Sequence, residues 1–277
     1  MAIAQDPTRT TTRSGAPSGV LLTLNRGIQV LEQIARDEGR ATAKSLAADL
    51  DINLGTCYQL LRTLQANGYT HRLPGGRYAL GTRIGFLLEQ YERVSAPAPE
   101  LIDILHDLHH DLQETVYITA RRGRDIAIVE VLEGTRMLRV GNMQAGYGGY
   151  NNVRASAKAY LSITPEDALD DFFESREFEA LTPNTITSWD GLLEELATTR
   201  NRGYGIDNEE YALGVVCIGA VVVDEEGRPY GSFATSFPAS RLAEEEAGIS
   251  SRVMQAAEAG SRALGYTGPY PPLGPPA

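Results

Sequence analysis

The chain has 277 residues, of which 42% are hydrophobic and 22% charged, and its net charge is −11. That length is natural for two domains rather than one core, and the ordinary composition excludes a disordered or collagen-like chain. No apolar run approaches the ~18 residues of a membrane span. The two cysteines, Cys57 and Cys217, form no C-x-x-C pair, so neither a zinc ribbon nor a disulfide framework is indicated, and a reducing cytoplasm is expected.

Residues 1–19 lack the apolar stretch of a signal peptide and read as a flexible arm. The spacing of Leu24, Ile28, Leu31, Ile34 and Ala35 predicts an amphipathic helix ending near Arg36, with those residues on its buried face. Thr42 is an N-cap for a short second helix, Ala43 to Asp49, with Leu46, Ala47 and Leu50 inward. After the turn at Asp51-Ile52, Asn53 caps a third helix that reaches Ala66 and stops at Asn67-Gly68. Two short extended runs, Tyr69 to Leu73 and Arg77 to Leu80, flank Pro74-Gly75-Gly76 and predict a hairpin. Three short helices followed by a hairpin is the winged helix-turn-helix pattern.

Gly81 to Val94 reads as a helix with Ile84, Leu87, Leu88 and Tyr91 on one side, and the prolines at 97 and 99 then break the chain. A helix follows from Glu100 to about Gln113. Strands are expected at Thr115–Arg121, Ile126–Leu132 and Met137–Val140, and a Gly/Tyr/Asn-rich loop leads into helices near Ala155–Ser162, Pro165–Glu174 and Trp189–Arg202. Two strong strands, Val215–Val223 and Tyr230–Ser236, precede a last helix from about Arg241 to Leu264. The expected fold class is α+β: an N-terminal winged helix-turn-helix domain and a C-terminal α/β domain with a mostly antiparallel sheet. The expected division is an arm at 1–19, the winged helix-turn-helix at 20–81, a linker helix and proline hinge at 82–98, the second domain at 99–265, and a disordered proline-rich tail at 266–277.

A strongly acidic chain is a poor partner for DNA, but the charge is unevenly placed. Residues 1–98 carry 11 basic against 8 acidic side chains, and residues 99–277 carry 14 against 28. Only the front is suited to meet phosphate. On the third helix the polar side holds Asn53, Gly55, Thr56, Tyr58, Gln59, Arg62 and Thr63. Gln59 has the chemistry to pair with adenine, and Arg62 with guanine or a phosphate. Arg72 and Arg77 flank the wing tip, and Lys44 opens the second helix; all three are candidate phosphate contacts. The alternative for each is a solvated surface side chain. Cys57 shares a face with Leu60, Leu61 and Leu64 and reads as core.

Three stretches together carry a resemblance: LNRGIQVLEQIARDEGRATAKSLAADLDINLGTCYQLLRTLQANGY, then ETVYITARRGRDIAIVEVLEG, then RGYGIDNEEYALGVVCIGAVVVDEEGRPYGSFATSFPASRL. In this order and spacing the chain resembles the IclR family of bacterial transcription regulators over about residues 20–265. The resemblance implies a GAF-like effector domain, a homodimer or dimer of dimers, and ligand control of binding to a double-stranded DNA operator. It places Asp207, Val215 and Cys217 near the effector pocket, with Ser236 on the same side and Ala155 and Ser156 opposite. Gln59 stands where an arginine is common in the family, and Ala157-Lys158-Ala159 where Gly-Lys-Ala is usual; the tyrosines at 147 and 150 also depart from the pattern. A helix start offers free N–H groups, which makes a small organic acid, aromatic acids included, the expected effector.

Enzyme readings find little support. His106 and His110 have a zinc-compatible spacing, but no H-E-x-x-H and no third ligand accompany them. No G-x-S-x-G, P-loop or G-x-G-x-x-G occurs. No cofactor, metal or membrane partner is expected. Two alternatives stay open: a small-molecule sensor or adaptor without DNA binding, and a regulator that needs no ligand.

Overall fold

The computed structural model describes residues 20–134 and 146–272. Contacts divide the chain between Ser95 and Ala96, so each unit is taken by itself.

The first unit holds α1 (Leu22–Arg36), α2 (Ala43–Asp49), α3 (Leu54–Ala66), β1 (Thr70–Arg72), β2 (Tyr78–Leu80) and α4 (Thr82–Ser95). Its helix starts are set by side chains. Thr42 Oγ1 accepts the Ser45 N–H at 3.1 Å while Ser45 Oγ accepts the Thr42 N–H at 3.0 Å, a reciprocal pair that satisfies two otherwise orphaned donors of α2. Asn53 Oδ1 accepts the Thr56 N–H at 2.7 Å and opens α3. The antiparallel β1–β2 pair closes over a tight turn at Pro74–Gly76, and Thr42 bridges Arg77, which ties the wing to the start of α2. The core gathers Val30, Ile34, Leu46, Cys57, Leu61 and Tyr78.

The inward face of α1 differs from the one its apolar spacing predicts. Val30 and Ile34 are buried, whereas Leu24, Ile28 and Ala35 lie outside. The helix has more apolar residues than one face can hold: Ile34 of the expected stripe is buried and Leu31 half-buried, while Leu24 and Ile28 are left outside. On α4, Leu87, Leu88 and Tyr91 are likewise exposed within the chain.

The second unit is built on a five-stranded, wholly antiparallel sheet in the order β4-β3-β7-β6-β5. The strands are β3 (Thr115–Arg122), β4 (Asp125–Leu132), β5 (Gly205–Asn208), β6 (Val215–Val223) and β7 (Pro229–Pro238). The helices are α5 (Pro99–Leu112), α6 (Ala155–Ser162), α7 (Trp189–Arg202) and α8 (Leu242–Ala263). Pro99 sits in the first turn of α5, where its missing N–H costs nothing. Residues paired across antiparallel strands project to the same side, and here the two sides differ in chemistry. One carries Val116, Ile118, Val216, Ile218, Phe233 and Phe237, packed against Leu101 and Leu105 of α5 and Val253 and Ala257 of α8. The other side receives α6, all eight of whose residues are buried. Gly205 and Gly219 allow that approach. A Cβ on Gly219 would lie 2.8 Å from the Ser156 Cα, and one on Gly205 would strike the Ala155 carbonyl.

Three further differences are physical. The helix expected over Pro165–Glu174 is a 3-10 segment, Glu166–Phe172. Strand β5 has only four residues, Gly-Ile-Asp-Asn, types poor in strand preference, and no run announced it. The tail expected to be disordered from residue 266 packs as far as 272: Tyr270 donates its hydroxyl to the Val221 carbonyl at 2.8 Å, and Tyr266 lies against Val221 and Val223. The arm at 1–19, the strand expected at Met137–Val140 and residues 273–277 lie outside the described residues.

Candidate functional site

In the first unit, α3 turns Cys57, Leu60 and Leu61 into the core, which leaves its other side to solvent. Asn53, Gly55, Tyr58, Gln59, Arg62 and Thr63 are all exposed and Thr56 is half-buried. Some polar capacity is already used locally. Asn53 caps α3, and Thr63 donates its hydroxyl to the Gln59 carbonyl at 3.0 Å. Gln59 and Arg62 keep their side-chain amide and guanidinium on the open face. At the wing, Arg72 and Arg77 are exposed; Arg77 Nε donates to the Pro74 carbonyl at 3.2 Å, which stiffens the turn. Lys44 is exposed on the first turn of α2. A helix of this diameter with its polar side bare suits the width of a DNA major groove.

In the second unit, β-register assembles the other group of residues. Asp207 pairs with Cys217, Cys217 with Ser236, and Ser236 with Thr115. They form one cross-strand row on the side that α6 covers. Val215 lies two residues before Cys217 on the same side, and Ala155 and Ser156 are the first residues of α6. Sequence-expected residues of this group therefore lie together: the row on the sheet, and the start of the helix laid against the neighbouring Gly205 and Gly219. Cys217 Sγ and Ser236 Oγ are 3.0 Å apart, and Tyr117 is buried on the same side of the sheet. Burial pushes the Cys217 thiol up to about 12, so it is a protonated, weakly polar wall rather than a nucleophile.

Four side chains here were not singled out as pocket residues from the sequence: Tyr117, Arg154, Lys158 and Tyr211. Lys158 is wholly buried, with Nζ 2.5 Å from Glu210 Oε1 and 3.9 Å from Glu195 Oε1; Arg202 in turn reaches Glu195 at 3.1 Å. Asp207 Oδ1 accepts the backbone N–H groups of Glu210 at 2.8 Å and Tyr211 at 3.1 Å. Burial pushes the Asp207 carboxyl up to about 6 and the Glu210 carboxyl up to about 7, against the pull of the Lys158 ammonium. The available signal was a lone arginine and a lone lysine inside the small-residue run Val153–Ala159, where a charge is otherwise out of place. The bond from Lys158 engages Glu210 and gives it a structural role.

His106 and His110 stand on the exposed side of α5, opposite Leu101, Leu105 and Leu108. Among the described residues, no group of three or more His, Cys, Asp and Glu could hold a metal ion, and no helix is long and apolar enough to cross a membrane.

Comparison with known proteins agrees with both units. Residues 23–74 match the IclR helix-turn-helix domain, and residues 100–262 match the pattern described as bacterial transcriptional regulator IclR C-terminal. The acetate operon repressor of Salmonella typhimurium is 29% identical over 256 residues, covering 90% of this chain and 92% of that protein. The transcriptional repressor IclR of Escherichia coli is 29% identical over 233 residues, covering 82% and 84%. Among solved structures, the IclR protein of Thermotoga maritima superposes with a TM-score of 0.69 at 28% identity, covering 88% of this chain and 99% of that one.

Proposed function

The chain belongs to the IclR family of bacterial transcription regulators, and from that premise we propose that it is a cytoplasmic, homo-oligomeric regulator whose operator affinity is set by a small organic acid. It is a regulator and not an enzyme in this reading. The observation that carries it is the bare polar side of α3 beside a wing with two outward arginines, in a unit whose core is otherwise closed. Gln59 and Arg62 read base edges from the major groove, with Asn53, Gly55, Thr56, Tyr58 and Thr63 along the same face. Lys44, Arg72 and Arg77 hold phosphates. The two relatives named above are repressors, and repression is the sign taken for this chain.

Two exposed apolar stripes support self-association. Leu24 and Ile28 recur at helical spacing along α1, just after the exposed N-cap Leu21, and Leu87, Leu88 and Tyr91 along α4, with exposed Phe86 beside them. Exposed stripes of this kind mark contact surfaces. A two-fold dimer presents two recognition helices to half-sites about 10 base pairs apart or a multiple of that. The effector binds between the Asp207–Cys217–Ser236 row, with Val215 at its edge, and the Ala155–Ser156 start of α6. A ligand there alters operator affinity only to the extent that it favours one arrangement of the dimer over another.

The test is an operator titration with Arg62→Ala. Loss of one phosphate or base contact should weaken binding by about 1–3 kcal/mol, or lower the salt slope by about 1, with effector binding unchanged. Unchanged operator affinity would remove Arg62 from the interface. Absence of DNA binding by the unaltered protein, with ligand binding intact, would favour a sensor or adaptor instead.

A further inference from the structure

The turn that begins α6 delivers into the interior an arginine that forms no ion pair among the described residues, with Asp207 acting on it only at longer range. Tyr150 has φ 51°, a left-handed conformation that bulky side chains avoid. That bend lets the Tyr150 carbonyl accept the N–H groups of both Val153 and Arg154. Arg154 is 6% exposed. Its Nη1 donates to the Ile126 carbonyl at 2.9 Å, and at 3.5 Å to that of Tyr147, while Nη2 is buried with no acceptor among the described residues. Two residues on, Ser156 is fully buried and its Oγ too has no partner among the described residues. Among the described residues no side chain caps α6, so its first N–H groups have no side-chain acceptor.

A buried guanidinium is costly unless an anion answers it. The nearby carboxylates are already engaged: Glu210 with Lys158, and Asp207 with two backbone N–H groups. Glu210 Oε2 is also unpartnered, but it is an acceptor and calls for a donor. Burial holds both carboxyls well above their ordinary range, which lowers the repulsion that a second anion would meet.

The surroundings of Arg154 are aromatic. Its Cζ lies 5.6 Å from the centre of the Tyr147 ring. Tyr211 stands edge-on to Tyr147 at 6.5 Å and to Tyr150 at 6.0 Å, and Tyr117 is buried on the same side of the sheet. Edges and faces of rings are favourable neighbours for another ring. An aliphatic acid would need the donors alone.

We propose that Arg154, with Ser156 as second donor, anchors the carboxylate of an aromatic acid whose ring lies among Tyr117, Tyr147 and Tyr211. This rests on the reading of the α6–sheet region as the effector site and names the class of molecule it takes.

The experiment is isothermal titration of the full chain with four probes: benzoate, phenylacetate, benzamide and pyruvate. Binding of at least one aromatic acid, at least tenfold tighter than both benzamide and pyruvate, is the expected result. Arg154→Gln should cost the aromatic acid at least tenfold, and Tyr211→Leu should weaken it without changing pyruvate. Equal affinity for benzoate and benzamide would overturn the proposal. So would unchanged binding by Arg154→Gln, or no binding of either aromatic acid up to about 10 mM, weaker than about −3 kcal/mol. If Arg154→Gln does not fold, the benzoate-to-benzamide ratio of the unaltered protein and the Tyr211→Leu variant still decide. Operator binding is measured in parallel without any acid. Selective DNA binding with no acid binding sinks this inference alone, and acid binding with no DNA binding sinks the regulator reading alone.

Discussion

Lys158 shows how much one buried side chain can settle. It is wholly enclosed, and its ammonium rests on Glu210 and Glu195. Removing one partner of such a pair leaves an uncompensated buried charge, at a cost of about 3–5 kcal/mol. Lys158→Met is therefore expected to lower the unfolding free energy measured by denaturant titration by that amount, and Lys158→Met combined with Glu210→Met to recover most of it. A double variant no more stable than the single one would show that the pair is not coupled. The same carboxyl sets a pH dependence. Glu210 moves from an ordinary 4.5 to about 7 in the folded protein, and Asp207 from 3.8 to about 6. The folded state holds protons that the unfolded chain releases, so stability is greatest below the unfolded values and falls as pH rises through the folded ones. Lys158 on α6, Asp207 on β5 and Glu195 on α7 are the charged groups acting on Glu210. Melting temperature should fall from about pH 5 to about pH 8, and Glu210→Gln should flatten that fall. An identical slope in the variant would assign the effect elsewhere.

At the scale of elements, legibility followed the density of local signals. Helix α2 was readable because Thr42 and Ser45 cap it, α3 because Asn53 opens it and Gly68 ends it, and β6 because Val215–Val223 is an unbroken apolar run. Strand β5 was not, because pairing with β6 makes Gly205–Asn208 a strand and its own residues do not. The row Asp207–Cys217–Ser236 came from the family resemblance; the register that aligns it is a long-range fact that no spacing in the chain encodes. Arg154 and Lys158 escaped for a related reason: a charge inside a small-residue run reads as exposed until the fold buries it. The α1 face failed differently, since Leu24 and Ile28 fit the helical stripe yet lie outside. Those two residues carry a prediction of their own. Leu24→Glu with Ile28→Glu, both exposed within the chain, should leave the fold intact and shift the oligomer toward monomer in sedimentation. An unchanged oligomer would move the contact to another surface, with the α4 stripe the next to test.

For the whole molecule, charge partition and function agree. The acidic excess sits behind residue 98, and the front keeps a small basic surplus. A protein so divided meets nucleic acid at one end only, and salt should weaken that contact steeply. The second unit contributes a polar interior beneath a small-residue helix, with buried Asp207, Arg154, Lys158 and Glu210, and the proposed acid would be held there. In the proposed function, coupling would be a population shift, so an effector that binds both arrangements equally tightly would leave operator affinity unchanged. The measurement that tests the central claim most directly is fluorescence anisotropy of the full chain against labelled DNA from its own upstream region, at two salt concentrations, with unrelated DNA as control. Tight, sequence-selective binding that weakens with salt is the predicted result. Equal or absent binding to both DNAs, unaltered by added aromatic or aliphatic acids, would contradict it.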